Sequence, residues 1–282
     1  MILEFTKMHG LGNDFIIIDN LEDKRLNWSK LAENLCQRNT GIGADGLVLV
    51  NPSHNGDYKM VIYNSDGSLA QMCGNAIRCF GKYLYEKGYT KEEKLSIDTD
   101  SGVKILYLTV DNGVVQSVKV DMGSPIFQPE LIPVNAPNSA DIKIQVAQRE
   151  LTITAISMGN PHAVIFVEDL KNYPVNELGP LIENHPLFPQ KINVEFVQIK
   201  DDQTLAIRVW ERGVGETQAC GTGACAAFVA SVLKGKVKFH GEVHLLGGIL
   251  TITYDGNKVY KEGPAAFVFE GKVEIDSSYK LI

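Results

Sequence analysis

The feature that most constrains this chain is that it repeats itself. Met72-Cys73-Gly74-Asn75-Ala76 and Ala219-Cys220-Gly221-Thr222-Gly223 are both a cysteine followed by glycine, 147 positions apart. The same interval carries Gly12-Asn13 onto Gly159-Asn160, Gly46 onto Asn193 and Asn64 onto Glu211. Self-similarity of this kind implies one structural plan used twice, and 282 residues suffice for two domains, each with its own core. Beyond the cysteines the interval shortens to about 140, where Gly123-Ser124-Pro125 answers Glu262-Gly263-Pro264, so loop lengths differ between the halves.

Hydrophobic periodicity gives both halves the same order of elements. Phe15–Asn20 and His162–Val167 are apolar runs of strand length, each following its Gly-Asn pair. Tyr58–Tyr63 and Leu205–Trp210 are strand-like runs that lead into Asn64 and Glu211, nine residues before each cysteine. Each cysteine then opens a helical pattern: Ile77, Phe80 and Leu84 in one half, Cys225, Phe228 and Val232 in the other, with Gly88 and Gly235 as the stops. The second pattern carries no charge from Gly221 to Leu233, as a helix enclosed by protein requires. The predicted fold is therefore α/β, with two pseudo-symmetric domains, each a mixed, mostly antiparallel sheet wrapped around a central helix, and an active site in the interdomain cleft. The expected boundaries are 1–120 for the N-terminal half, completed by 268–282, and 121–267 for the C-terminal half.

Composition narrows the class. Hydrophobic residues at 44% and charged residues at 22% are ordinary for a globular protein. A net charge of −7 argues against a nucleic-acid partner, which calls for clustered Lys and Arg. The N-terminal MILEFTKMHG has no basic segment leading into a long apolar stretch, and no run reaches the roughly 18 apolar residues of a membrane span. A cytoplasmic address without a membrane partner is expected. Five cysteines, an odd number in a chain with ample core, point to reduced thiols rather than a disulfide framework.

The thiols then carry the question of function. Cys36, Cys79 and Cys225 read as small core hydrophobes. Cys73 and Cys220 stand at predicted helix starts, where free N–H groups and the helix dipole favour a thiolate and bring its pKa from about 8.5 into the range ~3.5–7.5. The same starts can hold a carboxylate on their amides, the glycines permitting close approach. A zinc site from Cys73, Cys79, Cys220 and Cys225 is disfavoured, because C-x5-C and C-x4-C fall on helices rather than in knuckle turns; no metal or cofactor is expected. A redox C-x-x-C is absent, and a Cys/His hydrolase uses a single nucleophile. A duplicated thiol suits a symmetric task such as inverting a stereocentre, in which a proton leaves one face of a carbon and another arrives at the opposite face.

Four motifs in order, HGLGNDF at His9–Phe15, MCGNAIRC at Met72–Cys79, MGNPHAV at Met158–Val164 and ERGVGETQACGTGA at Glu211–Ala224, resemble the diaminopimelate epimerase family nearly end to end. The resemblance implies a homodimeric isomerase that interconverts LL- and meso-diaminopimelate, in lysine and cell-wall precursor synthesis, without pyridoxal phosphate or metal. It implies that Cys73 and Cys220 are the catalytic groups, one a thiolate that abstracts the α-proton and one a thiol that returns a proton, with roles that exchange with direction. His162 and Glu211 would adjust thiol protonation and secure the substrate amine. Gly74-Asn75 and Gly221-Thr222 would bind the proximal carboxylate through their amides. Asn13, Asn64, Asn160, Asn193 and Arg212 would contact substrate, Arg212 through a guanidinium fork matched to the distal carboxylate.

One departure is Gly46, where some family members carry glutamine after GIG-x-D; a side-chain contact is missing there. Two rival readings share the fold: a two-cysteine racemase of the proline or hydroxyproline type, and a non-catalytic amino-acid-binding protein. Asn75 after Cys-Gly and the Glu211-Arg212-Gly213 run favour diaminopimelate over a cyclic substrate, and the presence of both thiols favours chemistry over binding alone. Because an amino-acid α-proton is a very weak acid, the chemistry calls for closure of the two halves and exclusion of water.

Overall fold

Gly12 and Gly159, the paired glycines of the repeat, take φ of 84° and 96°, a left-handed turn that only glycine enters without strain. Each closes a hairpin around which a similar sheet is built. The computed structural model describes residues 1–279, and the chain divides into two units, Met1–Val120 with Gly263–Ile282, and Asp121–Glu262.

In the first unit β1 (Ile2–Gly10) turns into β2 (Asn13–Asp19). Helix α1 (Trp28–Leu35) crosses to β3 (Gly46–Asn51), which runs parallel to β2. β4 (Tyr58–Asn64) is antiparallel to β3 and carries the short β5 (Leu69–Ala70). Helix α2 (Ala76–Glu86) then leads to β6 (Lys94–Asp98), parallel to β4, and the meander continues through β7 (Lys104–Asp111) and β8 (Val114–Asp121).

The second unit repeats this plan. β9 (Ile142–Val146) pairs with β10 (Arg149–Ser157), which turns into β11 (Pro161–Phe166). Helix α3 (Val175–Glu183) leads to β12 (Asn193–Ile199), parallel to β11. β13 (Thr204–Glu211) is antiparallel to β12 and carries the short β14 (Gly215–Thr217). Helix α4 (Gly221–Leu233) leads to β15 (His240–Leu245), parallel to β13, followed by β16 (Gly248–Tyr254) and β17 (Val259–Gly263). The last strand, β18 (Ala266–Glu274), returns to lie against β1 as β9 lies against β10. Each unit is thus a mixed, mostly antiparallel sheet, as the sequence predicts.

Strand alternation decides which side chains meet which helix. Ile16, Ile18, Leu47 and Leu49 pack with Leu31, Ala32 and Leu35 of α1, and Ala163, Ile165, Val194 and Phe196 pack with Val175, Leu178 and Ile182 of α3. Each such side chain contributes roughly 1.5–3 kcal/mol when fully buried. The intervening positions face the central helix of each unit. α4 is buried from Gly223 to Ser231, which accounts for its lack of charge. α2 is buried from Ala76 to Leu84, with Arg78 and Lys82 included. Both helices end as the sequence indicates, at Gly88 and Gly235 with φ of 79° and 64°.

One element differs from expectation. α4 begins directly after Cys220, its N-cap, whereas α2 begins at Ala76 after Asn75, so Cys73 lies outside the helix. The Asn75 side chain makes no cap bond, because its amide is held by Asn13 and Arg78 instead. Among the described residues no helix is long and apolar enough to cross a membrane.

Candidate active site

In the second unit the site is assembled where β11, β12 and β13 meet the start of α4. Cys220 is extended (φ −108°, ψ 111°), and its Sγ accepts from the Gly223 N–H at 3.4 Å and lies 3.5 Å from Thr222 Oγ1. Gly221 and Thr222 form the first turn, and their N–H groups have no acceptor among the described residues. Such a pair of donors is the usual seat for a carboxylate.

The environment of Cys220 corrects the sequence-based expectation of a lowered thiol pKa. Burial pushes the thiol well above its ordinary value, the Glu211 and Glu195 carboxylates add to that effect, and the hydrogen bonds from Thr222 and Gly223 offset only part. A helix terminus contributes about 0.3–2 kcal/mol. Full burial can shift a pKa by up to 3–5 units, at roughly 1.4 kcal/mol per unit. Desolvation therefore wins over the dipole. Cys73 stands just before α2 rather than at its N-cap, and its carbonyl accepts from the Ile77 N–H at 3.0 Å.

Glu211 ends β13 and accepts from Thr217 Oγ1 across the β13–β14 turn. Burial pushes its carboxyl above the usual range, and the Thr217 bond and the nearby His162 counter this only partly. His162 is fully buried, with Nδ1 2.7 Å from Glu195 Oε1 and Nε2 3.0 Å from Asn160 Oδ1. Asn193 is also buried; its amide donates to Pro161 O at 2.8 Å and its oxygen accepts from the Arg212 N–H at 2.9 Å. It thereby ties β11 to the corner that displays Arg212, whose exposed guanidinium donates to Gln190 O.

In the first unit a corresponding group is built around Asn13. Asn13 Nδ2 donates to Asp45 Oδ2 at 2.7 Å, which fixes the amide so that Oδ1 accepts from Asn75 Nδ2 at 3.1 Å and from the half-buried Cys73 Sγ at 3.6 Å. Beneath this turn the fully buried Arg78 donates to Gly74 O, Asn75 Oδ1 and Pro264 O. Cys73, Gly74, Asn75 and Asn13 are thus one hydrogen-bonded group. Asn64 stands exposed at the end of β4, its amide on Ser68 Oγ, and pairs in register with Gly46. A Cβ at Gly46 would come within 2.8 Å of Tyr63 O, so the close approach of β4 explains why no side chain occupies that position.

Cys36, Cys79 and Cys225 lie in the cores, where burial pushes the Cys36 and Cys79 thiols up to about 12. Among the described residues no cluster of His, Cys, Asp and Glu is arranged to hold a metal. Three participants escape the sequence reading: Arg78, Asp45 and Glu195. Arg78 and Asp45 lie inside the quoted motifs without a role of their own, and Glu195 left a signal as a carboxylate inside the apolar run Asn193–Val197.

The family model for diaminopimelate epimerase matches residues 5–128 and 154–268. A diaminopimelate epimerase from Acetivibrio thermocellus is 50% identical over 278 residues, which cover 97% of this chain and 99% of that relative. Another from Methanococcus maripaludis is 50% identical over 277 residues, covering 97% and 100%. Among solved structures, a hydroxyproline epimerase from Agrobacterium vitis with bound trans-4-hydroxy-L-proline superposes with a TM-score of 0.72 over 96% of this chain and 91% of that one. At 16% identity this is a likeness of fold alone.

Proposed function

Because the chain belongs to the diaminopimelate epimerase family, we propose that it interconverts LL- and meso-diaminopimelate by a two-base reaction in which Cys73 and Cys220 are the catalytic pair. It is an amino-acid isomerase with a small-molecule substrate. In one direction the thiolate of one cysteine takes the α-proton and the thiol of the other delivers a proton to the opposite face; in the reverse direction the roles exchange. The amides of Gly221 and Thr222, with those of Gly74 and Asn75, would hold the proximal carboxylate and stabilise negative charge developing on the α-carbon. Glu211 suits the substrate ammonium, with His162 acting through Asn160, and Arg212 suits the distal carboxylate. Asn13, Asn64 and Asn193 complete the contact set, directly or by fixing its neighbours.

The observation that carries this reading is the recurrence, at the foot of the central helix of each unit, of a cysteine whose sulfur is already engaged in hydrogen bonding. Incubation with LL-diaminopimelate in D2O tests it. The wild type is expected to incorporate α-deuterium and reach an isomer mixture, while Cys73→Ala and Cys220→Ala each lose epimerisation by about 10²–10⁴-fold or more. Inversion of proline-type substrates in place of diaminopimelate would select the racemase alternative, and binding without exchange would select the non-catalytic one. A cytoplasmic homodimer, without nucleic-acid or membrane partners and without a cofactor, belongs to the same reading on the strength of the family resemblance.

A further inference from the structure

In the 147-residue register the two units differ at a buried constellation on the strands that flank the central helix. Phe15 and Val48 of the first unit are answered by His162 and Glu195 of the second, and Ala76 is answered by Gly223. All four strand positions face the central helix of their unit. The first unit is apolar there, and the second holds a fully buried imidazole and carboxylate 2.7 Å apart. Gly223 is the matching accommodation, since a Cβ at that point would lie 2.6 Å from Glu195 Oε1 and 3.3 Å from Cys220 Sγ. Carboxylate and sulfur thus adjoin the same methyl-sized space. Glu195 Oε2 has no hydrogen-bond partner among the described residues, an arrangement costly enough to call for a reason beyond packing.

We propose that Glu195 is a positioning residue for the epimerisation: it clamps His162 against Asn160 and sets a negative charge beside Cys220 that opposes ionisation of the thiol. This rests on the two-thiol reading above. Glu211 at the end of β13 acts in the same sense as Glu195. The fully buried Lys261 of β17 has its Nζ against Gly221, and the N-terminus of α4 acts in the opposite sense. Cys225, one turn into α4, is a buried thiol.

Titration of the thiolate ultraviolet absorbance, each protein referenced to its Cys220→Ser counterpart, tests the proposal. Glu195→Gln keeps size and hydrogen bonding but removes charge, and is expected to lower the Cys220 midpoint by about one pH unit or more. Glu195→Asp retains the charge but falls short of His162; its midpoint should stay closer to wild type while kcat drops more than KM changes. An unmoved midpoint in Glu195→Gln overturns the proposal. Should that variant fail to fold, an unchanged kcat and pH profile in Glu195→Asp overturns it instead. Failure of the two-thiol reading would look different, because Cys220→Ser would then still epimerise.

Discussion

At the scale of single residues, the missing methyl of Gly223 is tightly constrained by its neighbours. An alanine there must displace Glu195 Oε1, and although that oxygen ends a flexible side chain, its bond to His162 and full burial leave it nowhere to go. Gly223→Ala is expected to destabilise the protein by about 1–3 kcal/mol. Adding Glu195→Val reproduces the Val48 and Ala76 combination of the first unit, so the two changes should be coupled by about 0.5–3 kcal/mol in urea unfolding. Strict additivity would show that the clash is relieved elsewhere. The sequence makes Gly223 visible only as part of a Cys-Gly-Thr-Gly turn; its purpose lies in Glu195, 28 positions earlier, and nothing local links the two.

At the scale of elements, the placement of Cys73 depends on how β1, β2 and the loop after α1 are tied together. Lys7 of β1 lies 2.8 Å from Asp14 of β2, and Arg38 grips Asp14 with both terminal nitrogens while also reaching Asp45. Burial alone would raise the Asp14 carboxyl, but hydrogen bonds from Arg38 and Lys7 together outweigh it and hold the group at about 2, against its ordinary 3.8. A carboxyl depressed in the folded state contributes its full stability above the unfolded value and loses it as pH falls through the folded one. The advantage of wild type over Asp14→Asn should therefore shrink between about pH 4 and pH 2, as read from urea midpoints; parallel loss in both proteins would remove Asp14 from this role. The strands of this network were legible because their apolar runs are long and regular. The start of α2 was not: periodicity places Ile77, Phe80 and Leu84 on one face but cannot tell that the Asn75 amide is committed to Asn13 and Arg78.

At the scale of the whole molecule, a homodimer predicts a light-scattering mass of about 62 kDa, twice the 31.0 kDa chain, whereas a mass near that of one chain would confine function to the single copy. The duplicated plan was readable from spacing, since Asn13, Asn64 and Cys73 fall on Asn160, Glu211 and Cys220 without adjustment. The expected thiol chemistry was only half readable. Sequence shows that Cys220 precedes an enclosed helix, but the burial of the thiol itself beside the Glu211 and Glu195 carboxylates, which reverses the direction of the pKa shift, depends on strands distant in the chain. The substitution of His162 and Glu195 for Phe15 and Val48 has a further consequence. A protein made by writing the first unit twice would own two equal thiols and no means of telling one from the other. By retaining an apolar pair in one unit and an imidazole beside a carboxylate in the other, this chain gives its repeat a left and a right, so its two sulfurs stand in different surroundings.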